Sequence, residues 1–374
     1  MAYYLFPFLL SGFCYMLNAK SRKQITIFLL VYMAALSGLR FETGYDWMAY
    51  SLNFDDLNFD NGLLSADTQN NFEPLYVALS IFIKLLGGSV QIVFLFASSL
   101  VSYSLYSLID KYDKKYIFLL PLYLGFCYLL SGFVVVRYSI AVSLCIISFA
   151  CCRRNVYISI FLIILAALFH FFALIFLPFL FVEKLKLKLK KLKLFFLFLF
   201  LIILSFTFNL SSYLYLLSLL DGDSFFSKLS YYQNDARQSI PITVRLYLIL
   251  NIFFIFSINE FYSELKKDYD LLNATLLVTY MLIISILFFY QIPSIWNRIM
   301  LFAIPLQAIS LGYIDFKKLQ MTVIFSLVFF VSLIVLIFTL LSEDTYYLPY
   351  ESLVHKAFDL DTGVTRSKME LLFK

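Results

Sequence analysis

Along this chain, apolar runs of about 15–20 residues alternate with short basic connections, a pattern that predicts membrane-crossing helices. The runs fall at 3–17, 24–39, 89–109, 116–131, 134–152, 156–170, 171–183, 194–210, 243–258, 272–290, 299–314 and 321–341. They predict an all-α, polytopic integral membrane protein with about 12 transmembrane helices, read as one transmembrane domain over 1–374. Segment 73–86 is also apolar, but it is short and carries Lys84. That length suits a re-entrant or interfacial helix, with Gly87-Gly88 turning the chain back. The long polar segments are 40–73, 211–242 and 342–374.

Charge sets an expected orientation. Of the 29 Lys and Arg residues, 18 fall in six short connections that lie on one face if the spans alternate. The basic loop 183–194, with its Lys-Leu alternation, is then cytoplasmic. Loops 40–73 and 211–242 and the tail 342–374 lie on the extracytoplasmic, periplasmic side. The first apolar run has no basic region before it and no small-residue cleavage site after it, so it reads as a retained helix.

Composition excludes more than it adds. The chain is 62% hydrophobic and 14% charged with a mean hydropathy of +0.87, which rules out an ordinary soluble domain. None of the five cysteines has metal-site spacing, and no phosphate loop or dinucleotide fingerprint occurs. No cofactor or nucleic-acid partner is expected; the lipid bilayer is.

Lysine and arginine are distributed differently across this topology. Fifteen of 20 lysines fall on the cytoplasmic side, whereas six of nine arginines (Arg40, Arg137, Arg237, Arg245, Arg298, Arg366) fall outside or at outer span ends. Orientation needs only positive charge. A preference for guanidinium points to bidentate binding of phosphate oxygens. The competing reading is pairing with the acids of 40–73, which hold seven carboxylates against one basic residue. Arg137 begins an otherwise apolar span, where an unpaired charge is costly, and is a ligand candidate. Arg298 follows Trp296, an interfacial anchor, and opens a helix in the same manner.

His170 lies between two apolar runs, either bonded to neighbouring backbone or placed to orient a phosphate or move a proton. Glu42 and Asp46, four apart, would share a face on a helix. Glu73 precedes Pro74 and so marks a junction. A carboxylate among these acids could act as general base on a sugar hydroxyl, bind a metal, or bridge to Arg40.

With these positions in view, the chain resembles the EpsG-like branch of bacterial polysaccharide polymerases, which includes many Wzy-type O-antigen polymerases. Arg40-Phe-Glu-Thr-Gly-Tyr-Asp-Trp-Met-Ala-Tyr50 is similar to its Arg…Gly-x-Asp-x-x-x-Tyr signature, and Glu73-Pro74 opens the apolar helix that follows. Arg137-Tyr-Ser-Ile-Ala141 resembles its Arg-Gln-x-Ile-Ala element, with Tyr138 where Gln is usual. Ala166-Ala-Leu-Phe-His-Phe-Phe-Ala-Leu-Ile175 resembles its histidine element, with Phe171 where a polar residue often follows. Asn297-Arg298 and Leu348-Pro-Tyr350 also fit.

The resemblance implies a GT-C-like glycosyltransferase of the bacterial inner membrane, working at the periplasmic face. The growing glycan passes from undecaprenyl diphosphate to a lipid-linked repeat unit, without metal, and a chain-length regulator is a further partner. Arg137 and Arg298 would hold the diphosphate, assisted by His170. Asp46, or else Glu73, would activate the acceptor hydroxyl. Arg40, Glu42, Tyr50, Arg237, Arg245 and Trp296 would bind substrate. Two alternatives stand beside this: a transferase using a polyprenyl-phosphate sugar, and a lipid-linked oligosaccharide flippase or transporter.

Overall fold

The computed structural model describes residues 1–57, 72–112, 116–151, 155–184, 242–261, 269–289, 292–314, 318–341, 347–348 and 350–352. In chain order the α-helices are α1 (Ala2–Phe13), α2 (Ala19–Gly38), α3 (Trp47–Asp56), α4 (Pro74–Leu85), α5 (Val90–Lys111), α6 (Leu119–Phe126), α7 (Tyr128–Phe133), α8 (Val136–Cys151), α9 (Val156–Phe169), α10 (Ile242–Phe261), α11 (Tyr269–Phe289), α12 (Pro293–Tyr313) and α13 (Lys318–Leu341). Among the described residues there is no strand, only an isolated bridge between Arg40 and Ser352. The described residues are helical with connecting turns, as the apolar runs predict.

Among the described residues, four helices are long and apolar enough to cross a membrane: Val90–Lys111, Leu271–Phe289, Pro293–Tyr313 and Gln320–Leu341. Other apolar helices are shorter, and several of the expected spans take a different form. The run 116–131 is split into α6 and α7 at Cys127. The run 171–183 forms a 3₁₀ helix, Phe171–Lys184. Of its buried residues Ala173, Phe176, Phe179 and Leu180, the first three recur every third position, the period that places them on one face of a helix with three residues per turn. The run 194–210, loop 211–242, most of loop 183–194 and the tail beyond 352 lie outside the described residues.

The short segment after Glu73 is a helix of 12 residues, α4, with Pro74 at its start. Gly87 sits in the left-handed region (φ +74°) and turns the chain into α5.

The chain divides into two compact units: Met1–Leu180 with Lys318–Lys374, and Phe181–Lys317. In the first, α2 packs on α5, α5 on α8 and α8 on α9, while α6 lies against α13 and α1. Gly125 on α6 meets the main chain of Ser332 on α13, leaving no room for a side chain and bringing the two backbones close. In the second unit α10, α11 and α12 pack together. Gln307 bonds Asn251 (2.7 Å) and Thr279 (3.0 Å), and Thr275 bonds Ser310 (2.8 Å). These buried bonds tie three apolar helices that would otherwise lack a directional contact.

Candidate functional site

In the first unit the charged residues gather where helices begin and end. Asp46 caps the start of α3 and Glu73 the start of α4, neither with a side-chain capping bond. Arg137 is in the first turn of α8, and His170 ends α9. An acid at a helix start meets the positive end of the helix dipole, worth about 0.3–1 kcal/mol.

Glu73 accepts a charge-assisted hydrogen bond from Arg137 Nη1 through Oε2. Its other oxygen, Oε1, faces His170 Nε2 at 3.8 Å. His170 Nδ1 accepts the Phe172 N–H at 3.3 Å, so in the neutral ring the proton sits on Nε2, toward Glu73. The Tyr138 ring packs edge-on against His170 at 5.1 Å. The aromatic at this position therefore holds the imidazole by its face instead of offering an amide.

The Arg137 guanidinium lies over the Phe72 ring at 4.2 Å. Its backbone N–H points to Tyr50 Oη at 3.5 Å, and Tyr50 packs on Tyr76 and Phe94. Arg137 thus joins α3, α4 and α8. Sequence reasoning anticipated an arginine awaiting a phosphate; the structure gives it a carboxylate partner, with about a fifth of each side chain exposed (23% and 20%). Breaking such a pair is costly, so in this state Glu73 is committed to holding Arg137 and His170.

Asp46 is presented by a strained loop. Glu42 has φ +43° and Gly44 φ +96°. A Cβ at Gly44 would stand 2.4 Å from the Phe133 carbonyl oxygen, so the Gly of the signature is required both by conformation and by close approach. Glu42 and Asp46 do not share a helix face as their spacing suggested, because the helix begins only at Trp47 and Glu42 is left-handed. Burial pushes the Asp46 carboxyl up to about 6, with Arg137 and then Arg40 pulling it back. Among the described residues Asp46 makes no ion pair.

Arg40 departs furthest from expectation. It is not at a surface: its exposure is 0%, and its guanidinium stacks on Phe94 (4.3 Å) and Phe133 (5.2 Å). None of its three side-chain nitrogens finds a hydrogen-bond partner among the described residues. Burial pulls its pKa down to about 10, which leaves it charged at neutral pH, with Tyr50 and Asp46 opposing the shift.

The sequence did not point to Phe72 or Tyr76, and it marked Lys84 without giving it a role. The Lys84 ammonium donates to the carbonyls of Phe54, Asp55 and Leu57 at 3.0, 2.7 and 2.8 Å, tying α4 to the end of α3. A lysine in an apolar helix was a visible anomaly, and three waiting carbonyls explain it.

In the second unit, Arg245 is exposed on α10, Trp296 is buried on α12 and Arg298 is half-buried on the same helix. Arg237 lies outside the described residues. Among the described residues no group of three or more His, Cys, Asp or Glu side chains gathers as a metal site requires.

An all-helical membrane protein with an acid–guanidinium–imidazole cluster at helix ends is thus defined. Residues 23–352 match the EpsG family, most of the chain, and the chain belongs to that family. Comparison with curated proteins gave no match, and neither did comparison with solved structures.

Proposed function

We propose that this protein is a polysaccharide polymerase, a glycosyltransferase making O-antigen or exopolysaccharide at the periplasmic face of a bacterial inner membrane. It transfers the growing glycan from undecaprenyl diphosphate to the terminal sugar of a lipid-linked repeat unit. Membership of the EpsG family supports the class. The observation that carries the mechanism is the division of labour between two acids: Glu73 is engaged by Arg137, while Asp46 keeps its carboxyl disengaged beside two guanidinium groups.

In this reading the acceptor hydroxyl gives its proton to Asp46 as its oxygen bonds the anomeric carbon. The bond from that carbon to the diphosphate oxygen breaks, and undecaprenyl diphosphate leaves with the electron pair. A carboxyl near 6 is ionised at neutral pH yet basic enough to accept the proton. Negative charge develops on the leaving oxygen, and the guanidinium of Arg137, pre-oriented by Glu73 and Phe72, stabilises it. His170 Nε2–H stands 3.8 Å from the same carboxylate, beyond hydrogen-bond reach, and would donate to a phosphate oxygen. The family element at Asn297-Arg298 keeps Arg298 as a candidate phosphate contact.

The test is a purified, full-length protein in a bilayer, given defined undecaprenyl-diphosphate-linked repeat units, with and without chelator. A ladder insensitive to chelator is expected. Transfer only from a polyprenyl-phosphate sugar, or movement of the lipid across the bilayer with no new glycosidic bond, would replace this reading.

A further inference from the structure

The loop that presents Asp46 is held by the far end of the chain. The Phe41 N–H donates to the Glu351 carbonyl at 2.9 Å, and the Glu351 N–H donates to Thr43 Oγ1 at 3.1 Å. Thr43 Oγ1 also lies 2.8 Å from the Phe41 carbonyl and 3.3 Å from that of Glu351. Arg40 and Ser352 form an antiparallel bridge. The Tyr350 hydroxyl donates to the Leu36 carbonyl at 2.9 Å, and the Tyr4 hydroxyl to the Tyr347 carbonyl at 3.0 Å.

The strap therefore grips the loop at 40, 41 and 43 and the last turn of α2 at 36. The two left-handed residues flank the last grip: Glu42 lies between Phe41 and Thr43, and Gly44 between Thr43 and Asp46. A non-glycine residue in that conformation persists only where its surroundings over-determine it. Tyr347, Tyr350, Glu351 and Ser352 are all buried, as is Thr43. The family match runs to residue 352 and so takes in Tyr347, Tyr350, Glu351 and Ser352.

We propose that residues 350–352 are positioning residues: the main chain of Glu351 and Ser352, with the Tyr350 hydroxyl, fixes the strained loop from which Asp46 is presented. They act through the loop and set the rate of the chemical step, not the affinity for lipid-linked substrate. The identity of the reaction rests on the polymerase reading; the hold of strap on loop does not.

Thr43 is the point at which this can be tested, since its hydroxyl joins both strands. Thr43→Val keeps the shape and deletes the hydroxyl; Thr43→Ser restores it. Full-length protein in nanodiscs is followed by amide hydrogen exchange and by repeat-unit turnover. In Thr43→Val, exchange at Phe41 and Glu351 is expected to rise about tenfold and kcat to fall about tenfold, with KM within about twofold. Thr43→Ser is expected to return both to near wild type. Should Thr43→Val fail to fold, Tyr350→Phe, which removes the bond to Leu36 and keeps the ring, is expected to show the same paired changes. Unchanged exchange in these variants, or a loosened loop with undiminished turnover, overturns the proposal. A wild-type protein that turns over no lipid-linked glycan would count against the assigned reaction, because the exchange measurement needs no substrate.

Discussion

Asp46→Asn separates chemistry from stability, because the two should move in opposite directions. The folded protein holds this carboxyl at about 6, against an ordinary value near 4. A group raised in this way takes up protons on folding, so its ionised form weakens the fold. Stability should decline as pH rises from about 4 to about 6 and remain lower above that. The shift corresponds to about 3 kcal/mol if the site were dry, and partial exposure of Asp46 reduces this to about 1–2 kcal/mol. The amide of Asn bears no such penalty. At pH 7.5 the variant should unfold at a higher temperature than wild type, and the difference should vanish below about pH 4. Polymer formation should nevertheless be abolished, with lipid-linked units accumulating. The assay pairs thermal unfolding in detergent over a pH series with gel analysis of glycan ladders. Wild-type ladder lengths in Asp46→Asn would remove Asp46 from catalysis. Lost activity with no gain in stability at pH 7.5 would refute the account of its environment.

Three further substitutions probe the frame around it. Arg137→Lys keeps the charge opposite Glu73 but loses the planar fork and its stacking on Phe72; elongation should fall at least about tenfold with membrane insertion unchanged, and full activity would remove the leaving-group role. Gly44→Ala places a Cβ against the Phe133 carbonyl in a left-handed conformation, so a stability loss of about 1–3 kcal/mol is expected in thermal unfolding, and a neutral result would contradict the loop geometry. Lys84→Met leaves the carbonyls of Phe54, Asp55 and Leu57 without their donor; about 1–3 kcal/mol should be lost, read as faster hydrogen exchange at the end of α3, whereas unchanged exchange would show the clamp to be dispensable.

Local grammar made part of this legible. Glu73-Pro74 announced a junction, and α4 does begin there because proline suits the first helical position. His170 stood between two apolar runs, and it ends α9. The Gly-x-Asp element singled out Asp46, and the structure adds that its glycine, Gly44, is left-handed just ahead of that carboxylate. Other features depend on partners distant in sequence. Nothing local to Arg137 says that Glu73 holds it, and nothing near Arg40 says that Phe94, Phe133 and residue 352 will enclose it. Hydropathy gave apolar runs but not their internal form. It could not foresee the break between α6 and α7 at Cys127. Nor could it tell an α-helical from a 3₁₀ run at 171–184, because a nearly unbroken apolar run carries no period that separates 3.6 from three residues per turn.

The division of labour between Asp46 and the Arg137–Glu73–His170 cluster is tested most directly by counting undecaprenyl diphosphate released per glycosidic bond formed, across a pH series, with wild-type protein and defined lipid-linked repeat units. One molecule released per bond, at a rate that rises through a single step near pH 6, is the predicted result. Bond formation without that release, or a rate indifferent to pH between about 5 and 7, would contradict it.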